Sequence, residues 1–164
     1  MKKRKDKAER IVIAEMRAPD FLNEPIEYGK SFSRGVRVDA GGFTVLYISG
    51  TASVDENGKT CYPEKFSAQA QRTFDNITAL LRSEGATWHD VAKTRCYLKR
   101  MKDYDAFNRV RSLFYRNAGL RRFPASVCVE ARLCRPDLLV EIEATAIIDN
   151  KRAHQAGGTG NVLF

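Results

Sequence analysis

Histidine is nearly missing from these 164 residues. Only His89 and His154 occur, and neither has another ligand type at metal spacing. That argues against a zinc centre and leaves serine–histidine catalysis little to work with. The four cysteines, Cys61, Cys96, Cys128 and Cys134, form no CxxC and no framework spacing. Without a signal peptide, that pattern fits reduced thiols in a cytoplasm. No apolar run approaches the roughly 18 residues a membrane span needs. After the basic start, Ile11-Val12-Ile13-Ala14 is too short for a secretory core. Nothing repeats at a solenoid period. The expectation is a soluble, non-secreted, cytoplasmic protein with no membrane partner, no metal and no cofactor.

At 43% hydrophobic the chain is too apolar for a disordered protein, and its length suits one compact unit. The net charge of +8 points to nucleic acid until it is mapped. Residues 1–10 carry six basic groups against Asp6 and Glu9, and residues 150–164 add Lys151 and Arg152 with no acid. The 139 residues between them hold 20 basic and 18 acidic groups. The basicity therefore lives in the tails, which read as solvated chain ends or, alternatively, as salt-sensitive phosphate contacts.

Arg10 to Met16 reads as a strand, and residues 17–30, with Pro19, Pro25 and Gly29, as a loop. Phe32–Val38 and Phe43–Ser49 are strand-like runs around a Gly41-Gly42 turn, and Asp55-Glu56-Asn57-Gly58 is a second turn. A helix is expected from about Glu64 to Ser83, with Phe66, Ala70, Phe74, Ile77 and Leu81 as its apolar stripe and Gly85 as its stop. Val91–Leu98 alternates with period two, placing Ala92, Thr94, Cys96 and Leu98 on one face. A second helix follows from Asp103 to Asn117, burying Phe107, Val110, Leu113 and Phe114. Ala125–Ala131 and Leu138–Ile148 read as the last strands.

Two amphipathic helices cannot cover both faces of so large a sheet. They should pack on one face of an α+β layer. In the last strand Leu138, Val140, Ile142, Ala144, Ala146 and Ile148 should face the helices. Leu139, Glu141, Glu143, Thr145 and Ile147 then point to the far side. That mixed side reads either as a solvated face or as a subunit interface or pocket wall.

The string Leu46-Tyr47-Ile48-Ser49-Gly50-Thr51, the helix carrying Gln69 to Leu81, Asp90 to Leu98, Phe123-Pro124-Ala125 and Val140-Glu141-Ile142-Glu143-Ala144 together resemble the Rid/YjgF family over about residues 30–149. The resemblance implies a chorismate-mutase-like α+β fold: a mixed sheet, two helices on one face, and a homotrimer with ligand clefts between subunits. It divides the chain into a basic N-terminal extension with a short strand (1–29), a Rid-like domain (30–149) and a C-terminal tail (150–164). It also implies hydrolysis of reactive enamines and imines, with release of ammonia.

In that family an arginine two residues after the proline of the Pro-Ala motif holds the substrate carboxylate. Here that position is Ser126, whose hydroxyl cannot replace a bidentate cation. Arg34 and Arg132 are the arginines the sequence offers instead. The resemblance carries Phe32, Ser49, Gly50 and Cys128 onto pocket positions and Glu141 onto the glutamate that positions or activates water. Blander roles stand beside these: Cys128 as a small buried hydrophobe, Glu143 as an ion-pair partner, Ser126 as a plain strand residue.

Phe32-Ser33-Arg34, Ser49-Gly50-Thr51-Ala52-Ser53 and Cys134 to Glu143 also resemble the C-terminal half of chorismatases, which adds Cys134 to the pocket and again places a glutamate at Glu141. The leading expectation is a trimeric hydrolase of a small enamine, imine or enol-type metabolite. Glu141 is its acid/base group, and Phe32, Arg34, Ser49, Gly50, Ser126, Cys128 and Cys134 line the cleft. A trimer that binds a metabolite without turnover, and an RNA-binding or RNA-cleaving protein, are the alternatives. The near-neutral core and the lack of paired histidines speak against the last.

Overall fold

The structure, a computed structural model, describes residues 10–151. The basic segment before Arg10 and the Gly157-Gly158-Thr159-Gly160 stretch lie outside the described residues. Six strands form one sheet: β1 (Val12–Met16), β2 (Gly35–Asp39), β3 (Phe43–Ala52), β4 (Val91–Leu98), β5 (Ala125–Glu130) and β6 (Val140–Asp149). Their order across the sheet is β1-β2-β3-β6-β4-β5. Only β4 and β5 run parallel, joined across helix α2 (Tyr104–Asn117), so the sheet is mixed. Helix α1 (Phe66–Ser83) links β3 to β4, and β6 inserts between those two strands. This is the expected α+β layer.

The core lies between the helices and one sheet face. Phe74 of α1 is its centre, 4.7 Å from the Phe114 ring and 5.5 Å from Trp88, with Phe107 and Tyr115 around them. From β6, Val140, Ile142, Ala144 and Ala146 enter this core as the alternation predicts. Leu113, expected inside, is 54% exposed, and Tyr115 takes its place. Helix α2 is rotated so that Phe107 and Tyr115 point inward, eight residues apart and on one helical face.

Two boundaries and one register differ from expectation for identifiable reasons. Helix α1 begins at Phe66 rather than Glu64 because Tyr62 and Glu64 have φ of 55° and 64°, left-handed conformations outside a right-handed helix. Strand β2 begins at Gly35 rather than Phe32, since the Arg34 side chain turns inward to Asn23. In β4 the pairing with β6 slips between Val91 and Lys93, so Val91 is buried and Ala92 only half-buried, the reverse of strict alternation.

Candidate active site

The site begins with an extra residue. Ile48 pairs with Ala144 and Thr51 with Ile142, so Ser49 and Gly50 together face a single β6 residue. This bulge buries both Ile48 and Thr51 under the helices although they are three apart. It also brings Gly50 against Glu141: a Cβ at position 50 would collide with Glu141 Oε1. Ser49 is fixed beside it, its amide donating to Arg34 O and its hydroxyl to Ser33 O at 2.7 Å.

Two carboxylates project from β6 onto the sheet face that the helices leave open, and their surroundings differ. Glu143 accepts from Tyr97 Oη at 2.9 Å and from Arg95 at 3.2 Å. Glu141 makes no side-chain hydrogen bond or ion pair among the described residues. Burial, and secondarily the nearby Glu143 charge, push its pKa above the ordinary 4.5. A half-buried carboxyl without a partner can carry a proton and give it up, whereas both oxygens of Glu143 are already engaged by Tyr97 and Arg95.

Helix α1 fixes β6, which carries this pair, and β3 beside it. The Gln69 amide donates to Tyr62 O and Asp137 O and accepts from the Leu139 amide, locking the chain just before β6. Asn76 donates to Ala52 O and Val54 O at 2.9 Å each, locking the end of β3. Neither residue stands out from composition or motif; their signal in the sequence is a polar line, Gln69-Thr73-Asn76, running at helical spacing beside the apolar stripe.

Not all expected site residues meet. Ser126 and Cys128 pair with Thr94 and Cys96, which face the helices, so they lie on the opposite sheet face from Glu141. Cys128 packs against the core, and burial followed by the Cys96 neighbour pushes its thiol up to about 11, leaving little thiolate at neutral pH. Arg34 is 6% exposed, with its guanidinium spent on Asn23 and set 5.8 Å from the Tyr28 and Phe32 rings. Burial is the main cause of its lowered pKa. Phe32 is exposed next to that guanidinium, and Cys134 is exposed in the β5–β6 loop. Ser126, by contrast, lies in a cleft beside α2, where Arg111 donates to its hydroxyl at 3.1 Å. Among the described residues no three His, Cys, Asp or Glu side chains gather closely enough to hold a metal.

The family model described as Endoribonuclease L-PSP matches residues 24–148. The chain belongs to this family, the Rid/YjgF proteins. Within it, the chain is 34% identical to a RutC family protein of Saccharolobus solfataricus over 115 residues, covering 70% of this chain and 85% of that relative. It is 29% identical to the 3-aminoacrylate deaminase RutC of Acinetobacter baylyi over 102 residues, covering 62% and 78%. The YjgF gene product of E. coli superposes with a TM-score of 0.68 at 25% identity, over 82% of this chain and 98% of that one. A protein of unknown function from Pseudomonas aeruginosa gives 0.69 at 31%, over 85% and 95%. The matched span takes in Gly50, Ser126 and Glu141 and leaves out β1.

Proposed function

We propose that this Rid/YjgF protein is a hydrolase of a small enamine or imine, with Glu141 as the acid/base group. The observation that carries the reading is the contrast on β6: Glu143 is paired with Arg95, whereas Glu141 is half-buried, without a side-chain partner among the described residues, and raised in pKa beside Gly50, where a Cβ would collide with it. The 3-aminoacrylate named in one relative is an enamine, which supports the substrate class. In the proposed step the Glu141 carboxylic acid protonates the enamine carbon, giving an iminium. The resulting carboxylate then takes a proton from water as the water oxygen bonds to the iminium carbon. Collapse of the aminol expels ammonia and leaves a carbonyl product, so one water is consumed and the proton borrowed from Glu141 is returned.

The open sheet face supports a trimer. Tyr47 and Ile147 are 53% and 48% exposed there, beside the half-buried Glu141 and Tyr97. Subunits packed on that face would cover these residues and set Glu141 of one copy within a cleft walled by another, with Ser49 and Gly50 beside it. The reading with small molecules is also supported by charge, since residues 11–149 carry a basic surplus of only two. Serine at the position of the family arginine favours one further reading, a trimer that binds without turnover.

The test is ammonia release from freshly generated 2-imino acids by the wild type and by Glu141→Gln. Turnover that falls at least about 100-fold in the variant is expected. Full activity in the variant removes Glu141 from the mechanism. Saturable binding with no turnover in either protein replaces the hydrolase by the binding trimer.

A further inference from the structure

We propose that helix α2 supplies this protein's carboxylate-binding cation, Arg111, and that the cleft between α2 and β5 receives the acid end of a small ligand. Ser126 and this cleft lie on the opposite sheet face from Glu141, so the inference goes beyond the reading above and names a second, carboxylate-binding site. Arg111 is half-buried, and none of the ion pairs among the described residues involves it or Arg116. Its guanidinium is nevertheless held firmly, by neutral groups alone. One nitrogen donates to Ser126 Oγ at 3.1 Å and another to Asn108 Oδ1, and the group lies 5.1 Å from the Phe107 ring centre. Those contacts use two of the five N–H groups of an arginine and leave the charge uncompensated. Where Arg37 and Arg95 meet carboxylates of this chain, Arg111 meets none.

Position and shape complete the case. Arg111 and Arg116, one helical turn and a half apart, line a cleft of about 370 Å³ together with Tyr115, Phe123, Pro124 and Ser126. Tyr115 and Phe123 stack with ring centres 5.8 Å apart, giving the cleft a flat apolar wall. Burial pushes the Tyr115 phenol up to about 12, so that wall carries no competing negative charge at neutral pH. Ser126 Oγ accepts from both Thr94 and Arg111, which leaves its own proton free to donate outward, with only the weak Cys96 sulfur contact at 3.9 Å nearby. A planar anion bound here would meet a guanidinium edge and a hydroxyl donor side by side, the arrangement that suits a carboxylate. Ser126 is then the partner that aims a cation delivered from the neighbouring helix.

The experiment measures pyruvate binding by titration calorimetry to the full chain and to Arg111→Gln, Arg111→Lys and Arg116→Gln, with methyl pyruvate and inorganic phosphate as comparison probes. Pyruvate should bind the wild type and lose about tenfold or more in affinity in Arg111→Gln. Arg111→Lys, which keeps the charge and stem but not the fork, should fall between, and methyl pyruvate should bind weakly throughout. Arg111→Gln binding within twofold of the wild type, no saturable pyruvate binding by the wild type, or tighter binding of phosphate than of pyruvate overturns the assignment. Arg111→Lys keeps the test valid if Arg111→Gln unfolds. The two readings separate cleanly. Arg111-dependent pyruvate binding without imine turnover upholds the cleft and removes the hydrolase. Imine turnover together with pyruvate binding that ignores Arg111 upholds the hydrolase and removes the cleft.

Discussion

The two faces of the sheet are built on different terms. On the helix side, Ile48, Cys96, Ile142 and Ala144 are sealed beneath Phe74, Ile77 and Phe107, and the side-chain amide nitrogens of Gln69 and Asn76 are spent on backbone partners. On the open side, Tyr47 and Ile147 remain exposed and Glu141 has no side-chain partner among the described residues. Burial and backbone pairing hold the fold together, while a partnerless group within reach of solvent is what a reaction or a ligand can use. The same strand serves both ends, since Ile142 and Glu141 are neighbours in sequence.

That contrast can be tested one face at a time. Phe74→Ala, at the centre of the aromatic cluster, should cost about 4 kcal/mol of stability in urea unfolding. A loss under about 1 kcal/mol would mean the cluster is not the keystone of the covered face. Gly50→Ala should do the opposite, leaving the core alone while driving Glu141 aside and lowering turnover about 100-fold. Far-ultraviolet circular dichroism and imine hydrolysis, measured on one preparation, would show whether the two effects part. Gln69→Leu strips the Leu139 amide and two carbonyls of their partner and should cost about 2 kcal/mol, with activity falling as β6 loosens. If stability falls and activity per folded molecule does not, the helix fixes the fold without positioning Glu141.

The smallest effect concerns pH. A carboxyl whose folded pKa lies above its unfolded value binds more protons in the folded state between those two values. Stability from Glu141 is therefore lost as pH rises from about 4.5 through its folded pKa and is not regained above it. Glu141→Gln should remove that downward slope and raise the melting temperature of the variant slightly relative to the wild type at pH 7. Parallel melting curves at pH 4 to 8 would expose a contrary slope.

Much of the frame was legible in the residues. The period of α1, the alternation of β6 and the turn at Gly41-Gly42 each state a local preference that tertiary packing reinforces. Glu141 was legible as a carboxylate on an otherwise half-apolar face. Its difference from Glu143 was not, because that depends on Arg95 and Tyr97, about 45 residues away in sequence and adjacent only across the sheet. Arg111 escaped for a similar reason. On a helix it reads as one more solvated cation, and only the packing of α2 against β5 brings it to Ser126. The bulge at Ser49-Gly50 leaves no trace in composition, and the side-chain alternation it corrects misleads about which residue faces inward.

That bulge also sets how β3 can change over evolutionary time. Strand pairing has a period of two, so removing one residue between Ile48 and Thr51 would leave the two at ordinary alternate spacing, both beneath the helices and Thr51 still opposite Ile142. What would go is the doubled step on the open face that sets Gly50 against Glu141. The core does not need the extra residue; the open face does. Lineages descended from this sequence that keep Glu141 should keep both residues between Ile48 and Thr51, with glycine at position 50, while those that lose Glu141 can lose one of the two and still fold.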